Sequence, residues 1–134
     1  MRLGILTGGG DCPGLNAVIR AVVIAGHTRH RYETVGYLDG WRGVLEDRAR
    51  DLDPVESSGL LAQGGTVLGT SRTNPFAQDG GPELTIANLA KRGVDAVVAI
   101  GGDDTLGVAS QLSDMGLSVV GVPKTIDNDL SGTE

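Results

Sequence analysis

Val94-Asp95-Ala96-Val97-Val98-Ala99-Ile100-Gly101-Gly102-Asp103-Asp104-Thr105 runs from a nearly continuous aliphatic stretch into two glycines, two carboxylates and a hydroxyl. The apolar run reads as a buried strand. The polar residues then open a helix that sets Leu106, Ala109, Leu112 and Met115 on one side, with Gly116 as its stop. Leu117 to Val122 is the next strand, followed at once by Pro123-Lys124-Thr125-Ile126-Asp127-Asn128-Asp129. Strand, loop, helix, strand is one turn of a parallel α/β layer.

The same alternation opens the chain. Leu3 to Thr7 is a strand candidate, and Gly8-Gly9-Gly10-Asp11-Cys12-Pro13-Gly14 follows it. Leu15, Val18, Ile19, Val22 and Val23 then recur at helical spacing, and Gly26 is the expected stop. Thr34 to Leu38 reads as a second strand and Asp39 to Gly43 as a loop holding the only Trp. A short edge strand is expected near Ala49 to Leu52. A second Gly-rich stretch, Gly64 to Arg72, precedes a turn-rich loop over Asn74 to Gly81. Pro82 opens a helix through Arg92 with Ile86, Leu89 and Ala90 inward. The expected fold is a Rossmann-like three-layer α/β sandwich with a mostly parallel sheet.

The 134 residues suffice for one domain, taken as 1–134. Aromatic residues make up only 3%, so aliphatics fill the core, which suits a parallel sheet covered on both faces. The net charge of −6 argues against nucleic-acid or membrane partners, while leaving room for a locally positive site. A single cysteine excludes an internal disulfide, and no run reaches the length of a membrane span, so a cytoplasmic location is the expectation.

In parallel sheets, ligands bind beyond the C-terminal ends of the strands. The loops after Thr7, Ile100 and Val122 all fall on that edge. The first offers backbone N–H groups at a helix start, a setting that favours phosphate, although neither G-x-G-x-x-G nor a P-loop is matched: Pro13 and Leu15 stand where Gly and Lys are needed. Asp103 and Asp104 are open to two readings, helix capping or cation binding. Two adjacent carboxylates repel and invite a cation, and oxygen ligands suit Mg²⁺. Arg72 has the fork geometry for phosphate. Asp127 and Asp129, two apart, point the same way if extended, beside Lys124.

Gly9 to Asn16, Gly64-Gly65-Thr66 with Gly69 and Arg72, Gly101-Gly102-Asp103, and Thr125 to Asp129 resemble, in order and across essentially the whole chain, the 6-phosphofructokinase family. The resemblance implies phosphoryl transfer to the 1-hydroxyl of fructose 6-phosphate, giving fructose 1,6-bisphosphate in glycolysis. It implies Asp127 as general base and Thr125 beside the moving group. Thr125, Ile126 and Asp127 would meet the sugar, and Gly10, Arg72 and Gly102 the donor phosphates. Asp103, with Asp129, would hold Mg²⁺. It also implies a homo-oligomer in the whole protein, and a longer chain, of which this would be the N-terminal donor-binding domain, inactive alone. Phosphoryl transfer needs such parts: positioning, a cation and a base on the nucleophile.

Two positions depart from the ATP-using pattern, which has Gly at both: Asp104 and Lys124. The pair resembles the pyrophosphate-dependent branch. A carboxylate near a nucleotide's α-phosphate adds bulk and like charge, about 4 kcal/mol at ~4 Å and an effective dielectric of ~20. Pyrophosphate has no α-phosphate, and Lys124 would meet the smaller donor during catalysis. Pyrophosphate is therefore the expected donor, with ATP the alternative. The rival classes are a Rossmann-type nucleotide-binding module and an NAD or lipid kinase sharing Gly-Gly-Asp-x-Thr. Bacterial ATP enzymes of the family carry basic residues one turn apart on the first helix for a nucleotide effector. Here Arg20 is followed by Ile24, so an incomplete effector site with weak or no ADP control is expected.

Overall fold

The structure is a computed structural model that describes residues 1–8, 15–52 and 68–123. Within them lie five strands: β1 (Arg2–Thr7), β2 (Glu33–Tyr37), β3 (Ala49–Asp51), β4 (Ala96–Gly101) and β5 (Val119–Pro123). They form one sheet in the order β3-β2-β1-β4-β5. β1 pairs in parallel with β2 (Gly4 opposite Val35) and with β4 (Ile5 opposite Val98), and β4 pairs in parallel with β5 (Val98 opposite Val120). Only β3 is antiparallel, with Arg50 opposite Gly36. The expected mostly parallel sheet is present, its short edge strand within a residue of where the sequence placed it.

Adjacent residues of each strand feed opposite faces, as the pleat requires. Leu6 of β1 and Val97 and Ala99 of β4 join one core with Trp41, Val44, Leu89, Val108 and Leu112. Ile5 and Ile100 join the other core with Leu15, Ile19 and Val23. Helix α1 (Leu15–Ala25) therefore covers one face. The other is covered by α2 (Trp41–Glu46), α3 (Gly81–Lys91) and α4 (Asp103–Asp114). Crossover handedness explains the split. The path β1–α1–β2 steps one way along the sheet and β4–α4–β5 steps the other way. Right-handed crossovers then put α1 and α4 on opposite faces. The reversal falls between β1 and β4, which opens a crevice at their C-terminal ends.

Four local expectations are corrected. Gly26 does not stop the first helix outright: a π-helical turn, Gly26–His30, continues it until Arg31 takes a left-handed φ of 56°. Asp39 to Gly43 is not all loop, because α2 begins at Trp41. Trp41 and Val44, three apart, both bury against the sheet. Ala90 faces solvent, and Thr85 takes the inward place. Its hydroxyl donates to the Gly81 carbonyl at 2.9 Å, which removes the usual cost of burying it. Met115 is 42% exposed because α4 ends at Asp114, and Val108 fills the core instead.

Candidate active site

The crevice is built on close backbone contact. Gly8, just past β1, donates to the Ile100 carbonyl of β4 at 2.9 Å. A methyl group on Gly101 would lie 2.7 Å from the Gly8 oxygen and 2.9 Å from Thr105 Cβ, so glycine alone fits here. Thr105, in the first turn of α4, is buried beneath this crossing.

The turn after β2 brings in a third segment. Asp39 N–H donates to the Leu68 carbonyl at 2.7 Å, and Ser71 Oγ donates to the Asp39 carbonyl at 2.5 Å. From β1, Thr7 Oγ1 donates to the Gly69 carbonyl at 2.7 Å. Gly69 has φ 73° and passes close to the Asp39 carboxylate. These bonds tie residues 68–71 to the C-terminal ends of β1 and β2 and deliver Arg72 to the site. On the far side, Trp41 Nε1 donates to the Thr105 carbonyl at 3.3 Å.

Between these supports lies a cleft of about 320 Å³. Residues 71–74 form one wall, and residues 102–105 with Val108 form the other. Four of the expected site residues, Arg72, Gly102, Asp103 and Asp104, thus share one cavity. Gly102 is the N-cap of α4 and has no side chain to cap with. Asp103 and Asp104 follow in the first turn, and both are exposed. Neither capping bonds nor ion pairs engage them among the described residues, so the capping alternative is not realised by these two side chains. The helix dipole favours their negative charge. The Arg72 guanidinium, also exposed, makes no ion pair among the described residues. Gly10, Lys124, Thr125, Ile126, Asp127 and Asp129 lie outside the described residues.

No group of three His, Cys, Asp or Glu side chains able to hold a metal occurs among the described residues. Two neighbouring carboxylates nevertheless suit Mg²⁺, which binds through one or two carboxylates, keeps several waters and takes further oxygens from phosphates. Trp41, Ser71 and Thr105 are structural participants that the sequence reading did not single out. The one available signal for Trp41 was a lone large aromatic beside Gly40.

Residues 2–134 match the Phosphofructokinase family. The chain belongs to the phosphofructokinase family. Over 136 residues it is 61% identical to a pyrophosphate–fructose 6-phosphate 1-phosphotransferase from Amycolatopsis methanolica, covering 100% of this chain and 39% of that protein. It is 51% identical over 134 residues to ATP-dependent 6-phosphofructokinase 3 of Streptomyces coelicolor, again covering 100% of this chain and 39% of the relative. Pichia pastoris phosphofructokinase, solved in the T-state, superposes with a TM-score of 0.86 at 32% identity, over 96% of this chain and 15% of that one. This phosphofructokinase chain therefore spans about 39% of the length of the curated relatives it matches. Relatives named for pyrophosphate and for ATP both lie close to it.

Proposed function

We propose that residues 1–134 form the phosphoryl-donor domain of a pyrophosphate-dependent phosphofructokinase acting on fructose 6-phosphate. One observation carries the choice of donor. Asp104 is an exposed carboxylate on the wall opposite Arg72 of a small cleft, and among the described residues it has no partner and the cleft no aromatic lining. A nucleotide's extra phosphate would meet like charge there, and among the described residues its base would find only Val108 as apolar lining. Pyrophosphate meets neither obstacle. Three pyrophosphate-named relatives, at 56–61% identity, support the same choice, whereas the 50–51% identity of ATP-named relatives is what favours ATP.

In this reading the roles divide as follows. Arg72, Gly10 and Gly102 hold the donor phosphates, and Asp103 with Asp129 would hold Mg²⁺. When bound, Mg²⁺ neutralises charge on the donor oxygens. Asp127 takes the proton of the sugar 1-hydroxyl, while Thr125 and Ile126 position the sugar. The new O–P bond forms as the bridging P–O bond of pyrophosphate breaks, and phosphate leaves. Lys124 would balance the charge on the moving phosphoryl group. A homo-oligomer is part of the same proposal. No helix among the described residues is long and apolar enough to cross a membrane.

Calorimetric titration of the 134-residue chain with pyrophosphate, ATP or NAD, each with Mg²⁺, tests this. Pyrophosphate is expected to bind at least about tenfold tighter than ATP, with NAD inert. Tighter ATP binding would sink the donor choice, and strong NAD binding would point to a Rossmann-type module instead.

A further inference from the structure

The cleft's two walls come from distant parts of the chain, and one short turn touches both. Asp39, at φ 61°, and Gly40, at φ 64°, reverse the chain after β2. On one side the Asp39 carbonyl accepts from Ser71 Oγ at 2.5 Å, and its N–H reaches the Leu68 carbonyl. Ser71 immediately precedes Arg72. On the other side Trp41, 2% exposed, donates its indole N–H to the Thr105 carbonyl in the first turn of α4. Thr105 immediately follows Asp104. A carbonyl oxygen has two lone pairs, so it accepts this bond in addition to its place in the helix ladder. The Asp39 carboxylate is itself held by Arg48, at 3.2 Å.

We propose that Ser71 and Trp41 are positioning residues, and that the turn joining β2 to α2 is a brace fixing Arg72 against the Asp103–Asp104 pair across the donor cleft. The proposal rests on the reading of that cleft as the donor site. Neither residue needs to touch the donor. Ser71 acts through the direction of the Arg72 stem, and Trp41 acts through the seating of the α4 N-terminus. A fixed separation favours a short, rigid anion over a longer one, because the guanidinium then meets phosphate without paying again for loop ordering.

The test is the affinity of the 134-residue chain for Mg²⁺–pyrophosphate, measured by calorimetry on the unmodified chain and on Arg72→Gln, Ser71→Ala, Ser71→Thr, Trp41→Phe and the Ser71→Ala/Arg72→Gln double variant. Thermal melts of each variant accompany the titrations. Arg72→Gln is expected to weaken binding about tenfold or more. Ser71→Ala loses the bond to the Asp39 carbonyl and the longer one from Thr73 N–H at 3.4 Å, and Trp41→Phe loses the one to the Thr105 carbonyl; each is expected to weaken binding about three- to tenfold, with small changes in Tm. Ser71→Thr retains the hydroxyl and is expected to bind within about twofold of the unmodified chain. The double variant is expected to bind no more weakly than Arg72→Gln, because Ser71 works through Arg72. Full affinity in Ser71→Ala and Trp41→Phe, with Arg72→Gln weakened, would overturn the brace while leaving the donor cleft intact. Additive losses in the double variant would also overturn it. An Arg72→Gln chain that binds normally would remove the donor-site reading on which the brace depends.

Discussion

Replacing Asp104 with glycine isolates the charge that the donor proposal depends on. Asp104 sits in the first turn of α4 and is exposed, with no partner among the described residues. Its removal therefore breaks no ion pair among them. An additional phosphate at the N-terminus of α4 would bring in a second negative charge, taken as roughly 5 Å from this carboxylate. Two unit charges at that distance repel by about 0.8 kcal/mol in bulk water and about 3 kcal/mol at an effective dielectric of 20. Exposure places the site nearer the first figure, so about 1–2 kcal/mol is the reasonable span. That corresponds to about a five- to thirtyfold change in relative affinity. The loss of a favourable helix-dipole charge, about 0.3–1 kcal/mol, weakens the helix equally for both donors and cancels in a ratio. The assay is the ratio of ATP to pyrophosphate dissociation constants for the unmodified chain and Asp104→Gly, both with Mg²⁺ at low ionic strength. The ratio is expected to move toward ATP by about five- to thirtyfold, and by less at high salt, where exposed charges are screened. A ratio unchanged within twofold would refute the electrostatic reasoning.

Three further outcomes are expected. Gly101→Ala forces a methyl group against the Gly8 carbonyl and Thr105, and should cost about 1–3 kcal/mol, read as a fall in Tm of several degrees; an unchanged melt would show that the crossing of β1 and β4 is looser than described. The Asp47 carboxyl is held below the usual carboxylate range, first by the hydrogen bond from Arg92 Nε at 2.6 Å and also by Lys91. Its contribution is therefore present above the unfolded pKa of about 3.9 and is lost as pH falls through the lower folded value. Thermal melts from pH 7 down to pH 3 should fall less steeply in Arg92→Met than in the unmodified chain, and identical slopes would discount the pair. On the outer face of α1, Arg20 is exposed while Ile24, one turn on, is half-buried and apolar. ADP should change turnover by less than about twofold when the chain is joined to the remainder of the Amycolatopsis methanolica relative, and clear activation would contradict this.

The alternation of aliphatic runs with helical spacing carried the layer architecture, because a buried parallel sheet leaves that pattern in local sequence. Strand order was another matter. That β1 lies between β2 and β4 means that the chain, after β3 at one edge, begins β4 on the far side of β1, a tertiary choice with no local signature. The acidic start of α4 was legible in Gly101-Gly102-Asp103-Asp104, since glycines and carboxylates at a helix start have few other uses. Which partners surround it was not legible. Ser71 and Trp41 meet that edge through backbone carbonyls, and a carbonyl acceptor carries no residue identity. Trp41 looks like a loop residue in the sequence because its helix is short and Gly40 and Gly43 flank it. Burial against the sheet, not helix propensity, is what forms α2.

The most direct test is turnover with each donor. The 134-residue chain would be joined to the portion of the Amycolatopsis methanolica relative that lies beyond its match, then supplied with fructose 6-phosphate, Mg²⁺ and either pyrophosphate or ATP. The account predicts fructose 1,6-bisphosphate formation with pyrophosphate, a kcat/KM for ATP lower by at least about tenfold, and loss of the product in Asp127→Asn. Efficient turnover with ATP and none with pyrophosphate would contradict it.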